Sequence, residues 1–256
     1  MANRNITIME FDFAYQNQGF YRDFEYEWID MTKMESVNRF CTQTSFAMIK
    51  NRLQSNRFRQ ITFLGSGNYH YVTLALLQMI KEPFTLVLVD HHSDLMMPLT
   101  DELVSCGSWV ANALDQISLM QKVMLIGPRG TEKKLFPTEY VNRIELVGSH
   151  FLGSDGRNVF RAINTKAVYI SIDKDVLDPQ EAETNWDQGR MHLDKIIRML
   201  KVIFADHKII GVDICGEAAI VDDFAESMKA IEKNDRANRR LLETLVRLQK
   251  ESLHRG

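Results

Sequence analysis

Two apolar segments of the chain each lead directly into a cluster of acidic residues. Residues 84–89 (FTLVLV) are followed by 90–94 (DHHSD), and residues 167–172 (AVYISI) are followed by 173–178 (DKDVLD). An apolar run of about six residues is typical of a buried strand. Carboxylates and imidazoles at the end of such a strand are destabilising unless positive charge lies among them, because burial removes their hydration. A divalent metal is the simplest source of that charge, and two clusters favour two metals.

The composition is that of a globular protein and argues against nucleic-acid and membrane partners. The 256 residues are 45% hydrophobic and 25% charged, and a net charge of -3 gives no basic surface for nucleic acid. No stretch approaches the roughly 18 uncharged apolar residues of a membrane span, and the N-terminus lacks a signal-peptide core. The three cysteines, Cys41, Cys106 and Cys215, are odd in number and far apart, which favours a reducing compartment. We therefore predict a cytoplasmic protein.

Short apolar segments alternate with helical patterns along the chain. The predicted strands span residues 6–10, 60–64, 85–89, 123–126, 143–147, 168–172 and 209–214. The predicted helices span residues 71–81, 108–119, 193–204 and 237–250. This alternation requires crossover connections, which give a mostly parallel, doubly wound sheet in a three-layer α/β/α fold. Since the chain has neither an internal repeat nor a Pro/Gly-rich linker, we predict a single domain over residues 1–256.

The residues that carry chemistry follow the predicted strands. In addition to the two acidic clusters, His70 follows the strand at 60–64, and Glu217 follows the strand at 209–214. In open α/β sheets, ligands bind outside the carboxyl ends of the strands. We therefore expect four strand ends to bring their polar residues to one rim of the sheet.

Six side chains at these strand ends are candidate metal ligands: His70, Asp90, His92, Asp94, Asp173 and Asp175. The spacing of i, i+2 and i+4 in the first cluster, and of i and i+2 in the second, places side chains on one side of an extended segment. A carboxylate-rich set with some imidazole and no thiolate favours hard or borderline ions such as manganese, and carboxylates can bridge two ions roughly 3.5–4 Å apart. The alternative is that the aspartates only form Asx turns, which suits Asp178 better than the motif residues.

At these residues the chain resembles the ureohydrolase family of arginases, agmatinases and formiminoglutamases. The family motifs are a Gly-rich turn ending in His, an Asp-x-His-x-Asp motif and a Ser-x-Asp-x-Asp-x-x-Asp-Pro motif. They correspond here to residues 65–70 (GSGNYH), 90–94 (DHHSD) and 171–179 (SIDKDVLDP). Weaker matches extend the resemblance over residues 60–250.

The resemblance implies an arginase-like fold that holds two Mn²⁺ per chain. The implied ligands are His70, Asp90, Asp94 and Asp173 for one ion, and Asp90, His92, Asp173 and Asp175 for the other. The implied reaction is hydrolysis of a non-peptide C–N bond in a linear guanidine or amidine, with a metal-bridging hydroxide as nucleophile. Asp94 would hydrogen-bond the hydroxide and carry its proton to the leaving amine. The implied partner is a small guanidino or amidino substrate, and the family pattern also admits a homo-oligomer.

Two catalytic positions depart from the family pattern. Cys106 stands where arginases and agmatinases have a His thought to shuttle protons, and a thiol of ordinary pKa is a poorer shuttle at neutral pH. Cys106 is therefore either a tuned acid or nucleophile, or a packed small residue. Glu217 lies one place after the family's substrate-binding Glu, where this chain has Gly216. Glu217 either contacts the substrate after a one-residue shift or leaves that role unfilled.

A third departure concerns the substrate's amino group. Arginases hold it with acidic residues after the Ile-Gly-x-Arg segment, where this chain has residues 129–134 (RGTEKK). Glu132 could serve this role, whereas Lys133 and Lys134 would suit an anionic group on the substrate. L-Arginine is therefore not the expected substrate.

Two tryptophans have different expected roles. Trp109 is predicted to lie on a helix face that packs on the sheet. Trp186 lies in the loop after the second acidic cluster, where the family lines its pocket, and could cover the substrate. Two alternatives to a ureohydrolase remain. One is a zinc amide hydrolase resembling deacetylases, and the other is a metal-binding relative without turnover.

Overall fold

The computed structural model describes residues 6–55, 61–128, 137–148, 160, 162–219 and 223–254. The strands, in chain order, are β1 Ile6–Glu10, β2 Tyr26–Asp30, β3 Phe40–Thr42, β4 Ile61–Phe63, β5 Phe84–Val89, β6 Leu103–Ser105, β7 Met120–Ile126, β8 Ile144–Val147, β9 Ala167–Asp173 and β10 Lys208–Cys215. The α-helices are α1 Gln43–Ser55, α2 Val72–Leu77, α3 Trp109–Gln116, α4 Leu193–Asp206 and α5 Phe224–Leu253.

Eight strands form one sheet in the order β2-β1-β4-β10-β9-β5-β7-β8, and every pairing in it is parallel. Helices α1, α2 and α3 pack on one face, and α4 and α5 pack on the other. Both faces are therefore covered, which is why the central strands are continuously apolar instead of alternating. The predicted three-layer α/β/α fold with a mostly parallel sheet is confirmed.

The β5 strand shows how one segment serves both layers. Leu86 and Leu88 belong to the core under α1–α3, whereas Val87 and Val89 belong to the core under α4 and α5. All of β5 and all of β9 are buried. Because successive side chains of a strand point to opposite faces, each apolar residue finds its own layer.

The structure also contains elements that the apolar pattern does not predict. The edge strand β2 is half-exposed and mixes polar with apolar residues, so it lacks the apolar run of a central strand. The strands β3 and β6 form a separate antiparallel pair. The predicted helix at 237–250 extends back to Phe224, where the Asp223 side chain caps it by accepting a hydrogen bond from the Glu226 N–H at 3.0 Å. A single domain over residues 1–256 stays a prediction.

The sheet order places the functional loops side by side. The adjacent strands β4, β10, β9 and β5 run in the same direction, so their carboxyl ends meet at one rim. The register sets Cys215 beside Asp173 and Ile172 beside Val89 at that rim. In the described part of the chain, no helix is long and apolar enough to cross a membrane.

Candidate metal centre

The structure brings all six candidate ligands to one pocket at the rim formed by β4, β5 and β9. The pocket has a volume of about 600 Å³, and its lining includes His70, Asp90, His92, Asp94, Asp173 and Asp175. His92 is partly exposed and the other five side chains are buried. The expected convergence of strand ends therefore places these ligands in one cavity.

His70 directs one ring nitrogen at three carboxylates. Its Nδ1 atom lies 3.1 Å from Asp94 Oδ2, 3.2 Å from Asp90 Oδ2 and 3.6 Å from Asp173 Oδ2. His70 follows a short 3-10 turn at Gly67–Tyr69 that bends the chain back over the rim. The result is a buried nitrogen surrounded by oxygen ligands, which is the donor set that manganese accepts.

A chain of hydrogen bonds behind His70 determines which ring nitrogen faces the pocket. The Nε2 atom of His70 lies 2.8 Å from Ser171 Oγ, and the Ser171 hydroxyl donates to Asp213 Oδ1 at 2.6 Å. Because the only hydroxyl proton of Ser171 goes to Asp213, Ser171 accepts from Nε2–H, and Nδ1 keeps its lone pair for a metal. Tyr169 donates to the other oxygen of Asp213 at 2.8 Å. Sequence reasoning missed this relay, although Ser171 is part of the third motif.

His92 contacts the same set of carboxylates from the side opposite His70. Its Nδ1 atom lies 2.7 Å from Asp175 Oδ2, and its Nε2 atom lies 2.9 Å from Asp187 Oδ1. Burial alone would lower the pKa of His92, but the hydrogen bond to Asp175 and the charges of Asp175 and Asp90 raise it to about 10. Without a metal, His92 therefore carries a positive charge that partly compensates these carboxylates.

The carboxylates themselves are crowded and poorly solvated. Burial, and then the charges of Asp175 and Asp94, raise the pKa of Asp90 well above its ordinary value. Burial and the charge of Asp175 raise the pKa of Asp173 to about 7. The buried Asp90 Oδ2 atom also lacks a hydrogen-bond donor. An orphaned carboxylate oxygen between acidic neighbours is what a bound cation would satisfy, so the residues present fit a metal.

Two groups of ligand atoms are close enough to hold ions separately. One consists of His70, Asp90 and Asp94, the other consists of Asp90, His92 and Asp175, and within each group the atoms lie within 4.8 Å of one another. Asp90 belongs to both groups, as a bridging ligand must. Asp173 belongs to a third group with His70 and Cys215, and the Cys215 thiol donates to Asp173 Oδ2 at 3.1 Å.

Asp94 is held by a tryptophan. The buried Trp109 indole donates from Nε1 to Asp94 Oδ2 at 2.6 Å, and Asp94 has a left-handed backbone with φ of 52°. Trp109 packs in the core as predicted, but its second role was not anticipated from the apolar pattern. The hydrogen bond orients the carboxylate that the family resemblance assigns to proton transfer.

Cys106 lines the pocket as a buried thiol. Burial, and then the negative charge of Asp94, raise the pKa of Cys106 to about 12. The thiol is therefore neutral at physiological pH and is not poised to shuttle protons there. Its backbone N–H donates to the Arg39 carbonyl at 3.0 Å, which ties the 106 loop to the start of β3.

Glu217 lies outside the lining of this pocket, in a buried polar network of its own. Its carboxylate accepts a hydrogen bond from the fully buried Lys174 ammonium, and Gln18 Nε2 and Asn238 Nδ2 each donate to it at 2.8 Å. The cavity beside Glu217 has a volume of only about 10 Å³, which holds one water at most. A substrate cation therefore has no access to Glu217 in this arrangement.

The backbone turn at Gly216 accounts for this placement. Gly216 has φ of 90°, and a Cβ atom there would lie 2.4 Å from Asp173 Oδ1 and 2.7 Å from the backbone nitrogen of Lys174. Only glycine fits this turn. The family's acidic position is thus closed to any side chain here, and the turn directs Glu217 into the interior toward Lys174.

Trp186 forms part of the pocket wall. Its ring centroid lies 5.7 Å from that of His92, and its Nε1 atom donates to Asn68 Oδ1 at 3.1 Å. The other residues considered for substrate recognition, Glu132, Lys133 and Lys134, lie outside the described residues.

Comparisons with known proteins agree on one family. The family model described as the arginase family matches residues 7–231. A protein of Thermotoga maritima, described only as uncharacterized, is 31% identical over 217 residues, which cover 85% of this chain and 81% of that protein.

Solved structures share the fold at low identity. Proclavaminate amidino hydrolase from Streptomyces clavuligerus has a TM-score of 0.65 at 16% identity, with 93% of this chain and 94% of that chain covered. A putative agmatinase from Clostridium difficile has a TM-score of 0.67 at 16% identity, covering 98% and 99%. Formimidoylglutamase from Bacillus subtilis has a TM-score of 0.66 at 14% identity, covering 96% and 87%. By the family model, which covers most of its length, this chain belongs to the arginase family.

Proposed function

We propose that the chain is a binuclear metal hydrolase that cleaves a non-peptide C–N bond in a linear guanidine or amidine. One observation carries the proposal. The six candidate ligands, four carboxylates and two imidazoles, line a single pocket, and within the described ranges none of these four carboxylates forms an ion pair with Lys or Arg. Cations from outside the chain would stabilise a cluster of this kind, because the two imidazoles only partly compensate its four carboxylates.

Two Mn²⁺ ions suit this donor set best. Carboxylate oxygens dominate it, two imidazole nitrogens complete it, and the nearby Cys215 thiol already donates to Asp173. His70, Asp90, Asp94 and Asp173 would hold one ion, and Asp90, His92, Asp173 and Asp175 would hold the other. When bound, such ions supply a water of lowered pKa and polarise the carbon that is attacked.

The chain's own residues would position the substrate and handle the proton. Asp94, oriented by the Trp109 indole, is placed to accept a proton and pass it to the leaving amine. Cys106 would stay a neutral thiol and contribute only to the wall of the pocket. Trp186 would exclude water from one side of the reacting group.

The test is release of urea or ammonia by the manganese-reconstituted protein from guanidino and formimino compounds, together with its metal content. We expect two Mn²⁺ per chain and turnover of at least one compound. Asp173→Asn should remove both, because it alters a bridging ligand. The matched control is Asp178→Asn in the same segment, where the side chain only accepts the Gln180 N–H at 2.9 Å.

The outcomes separate the competing functions. One zinc per chain and amide hydrolysis would replace this proposal with a deacetylase-like one. Two bound metals without turnover of any compound would make the protein a metal-binding relative that is not an enzyme. Activity that survives Asp173→Asn would show that the metal centre lies elsewhere.

A further inference from the structure

The outer part of the metal pocket carries a group of exposed apolar side chains beside one arginine. Phe40, Met96, Met97 and Leu99 line the pocket and are 45%, 69%, 60% and 73% exposed. Exposed apolar residues grouped at a cavity mouth are typical of a ligand-binding surface. A substrate whose reacting group reaches the acidic floor would lay its aliphatic chain along these residues.

The cation at this mouth is Arg39, and several contacts hold it in place. Its backbone is left-handed, with φ of 61°, and its carbonyl accepts the Cys106 N–H at 3.0 Å. Its guanidinium Cζ lies 4.9 Å from the centre of the Trp186 ring, and its Nε donates to Asn68 Oδ1 at 3.4 Å. An arginine stacked on an indole and fixed at Nε loses little conformational freedom when it binds a ligand.

The two terminal nitrogens of Arg39 remain available. Across the residues that the structure describes, Arg39 forms no ion pair with a carboxylate, and its Nη atoms donate no hydrogen bond. This is notable because carboxylates dominate the floor of the same pocket. A planar fork with unused N–H groups matches a carboxylate, which can accept both hydrogen bonds at once.

The same mouth offers little to a substrate with a second positive charge. The acidic side chain lining the outer pocket is Asp187, whose Oδ1 atom lies 2.9 Å from His92 Nε2. Glu217 is buried against Lys174. An ammonium group on the substrate tail would instead meet Arg39 and apolar side chains, which is unfavourable.

We propose that Arg39 binds a carboxylate at the far end of the substrate, so that the substrate is a guanidino or amidino carboxylic acid with an aliphatic chain. This inference rests on the proposed function for the reacting end of the molecule. The Trp186 ring lies between the two ends, 4.9 Å from Arg39 Cζ and 5.7 Å from the His92 ring. Arg39 is a specificity-determining residue in this scheme and takes no part in bond cleavage.

The test compares three ligands that differ in the charge of the tail: 4-guanidinobutanoate, its neutral amide, and 4-aminobutylguanidine. Binding to the manganese-reconstituted protein is measured by calorimetry and by tryptophan fluorescence, so the result does not depend on turnover. We expect the acid to bind about 10- to 100-fold more tightly than the amide, and the amine to bind most weakly.

The variants decide whether Arg39 causes this preference. Arg39→Ala should abolish it, and Arg39→Lys, which keeps the charge but loses the fork, should retain part of it. Arg52→Ala is the matched control, because Arg52 lies on α1 and donates to the Asp30 carbonyl at 2.9 Å, away from the pocket. Equal affinity for acid and amide would overturn the proposal. So would a preference that persists in Arg39→Ala, since the carboxylate would then bind the metals or another cation.

Failure of this inference and failure of the proposed function give different results. An Arg39-dependent preference for the acid without release of urea or ammonia from any of the compounds would support the tail site and contradict the hydrolase proposal. Urea release without any preference for the acid would support the hydrolase and overturn the tail site.

Discussion

Two polar clusters lie side by side at the carboxyl end of β9 and differ in how their charge is balanced. Asp173 and Asp175 face the metal pocket, whereas Lys174 between them is fully buried against Glu217. The first cluster contains four carboxylates and has no Lys or Arg partner in the described structure. The second contains one carboxylate, one ammonium and the amides of Gln18 and Asn238.

The difference separates a buried carboxylate that is balanced within the chain from a buried set of carboxylates that is only partly balanced. The Glu217 carboxylate is balanced within the chain, because it receives hydrogen bonds from three side chains and a matching charge from one of them. The metal cluster leaves Asp90 Oδ2 without a donor and raises the pKa of its carboxylates. Burial of acids alone therefore does not indicate a metal site, whereas burial of several carboxylates without a Lys or Arg partner favours one.

The largest effect on stability should follow from breaking the ion pair between Lys174 and Glu217. Lys174→Met leaves Glu217 as an unpaired buried carboxylate, which we expect to lower the free energy of unfolding by about 3–5 kcal/mol. The double variant Lys174→Met/Glu217→Gln should recover most of that loss, since Gln18 and Asn238 can still hydrogen-bond the amide. Urea unfolding monitored by circular dichroism measures both.

The control for this prediction is Lys201→Met, an exposed lysine on α4. If Lys174→Met changes stability no more than Lys201→Met does, the ion pair is not what holds this region together. The folded fraction of Lys174→Met should still bind Mn²⁺, and loss of that binding would show that the two clusters act as one.

The second effect concerns pH and belongs to the metal cluster alone. Burial and Asp175 raise the pKa of Asp173 from 3.8 to about 7. The carboxylates around His92 outweigh its burial and raise its pKa from 6.5 to about 10. The folded metal-free protein thus holds protons that the unfolded chain has already released. The stability that Asp173 contributes is complete below pH 4 and is lost by pH 7, and that of His92 is lost between pH 6.5 and 10.

Mn²⁺ must displace these protons, so its binding should strengthen as the pH rises. We expect the dissociation constant to fall by about tenfold per pH unit for each proton released between pH 6 and 8. Calorimetry in buffers of different ionisation enthalpy counts the protons directly. An affinity that does not change over this range would mean that the ligands are already deprotonated in the metal-free protein.

The smallest effect should come from the relay behind His70. Ser171→Ala removes the acceptor for His70 Nε2–H, so the ring is free to place its proton on Nδ1. Mn²⁺ affinity should fall by about 10- to 100-fold, as for other residues that orient metal ligands. Thr165→Val removes a hydroxyl just before the amino end of β9 and is the matched control. Equal affinities of the two variants would exclude the relay from metal binding.

Much of the metal cluster could be predicted from the sequence, because its acidic residues follow their strands directly along the chain. An apolar run followed by acids at alternating positions identifies both the strand and the residues at its end, and parallel neighbours then bring β5 and β9 together. The same reasoning gives the three layers, since both faces of these strands are apolar. It fails for β2, whose edge position leaves it half-exposed and without a distinctive pattern.

Contacts between distant segments could not be predicted in this way. The partner of Lys174 is Glu217, and Asp94 is oriented by an indole from α3. Neither pairing has a signal in spacing or composition, because each depends on how loops cross the rim of the folded sheet. The position of Glu217 depends further on the left-handed turn at Gly216. The sequence Gly216-Glu217 does not by itself show that this turn is left-handed.

That glycine also restricts how the protein could change by mutation. An acidic residue at 216, where the family resemblance places the substrate-binding Glu, would bring its Cβ against Asp173 Oδ1, an atom of a proposed bridging ligand. A single Gly216→Glu step would therefore damage the metal centre before it could bind a guanidinium. A substrate-binding Glu at 216 would need a rebuilt turn, and Lys174 would need a new partner if Glu217 moved with that turn. The left-handed turn at Gly216 thus couples the choice of residue at 216 to two neighbouring groups, the Asp173 carboxylate and the Lys174 backbone.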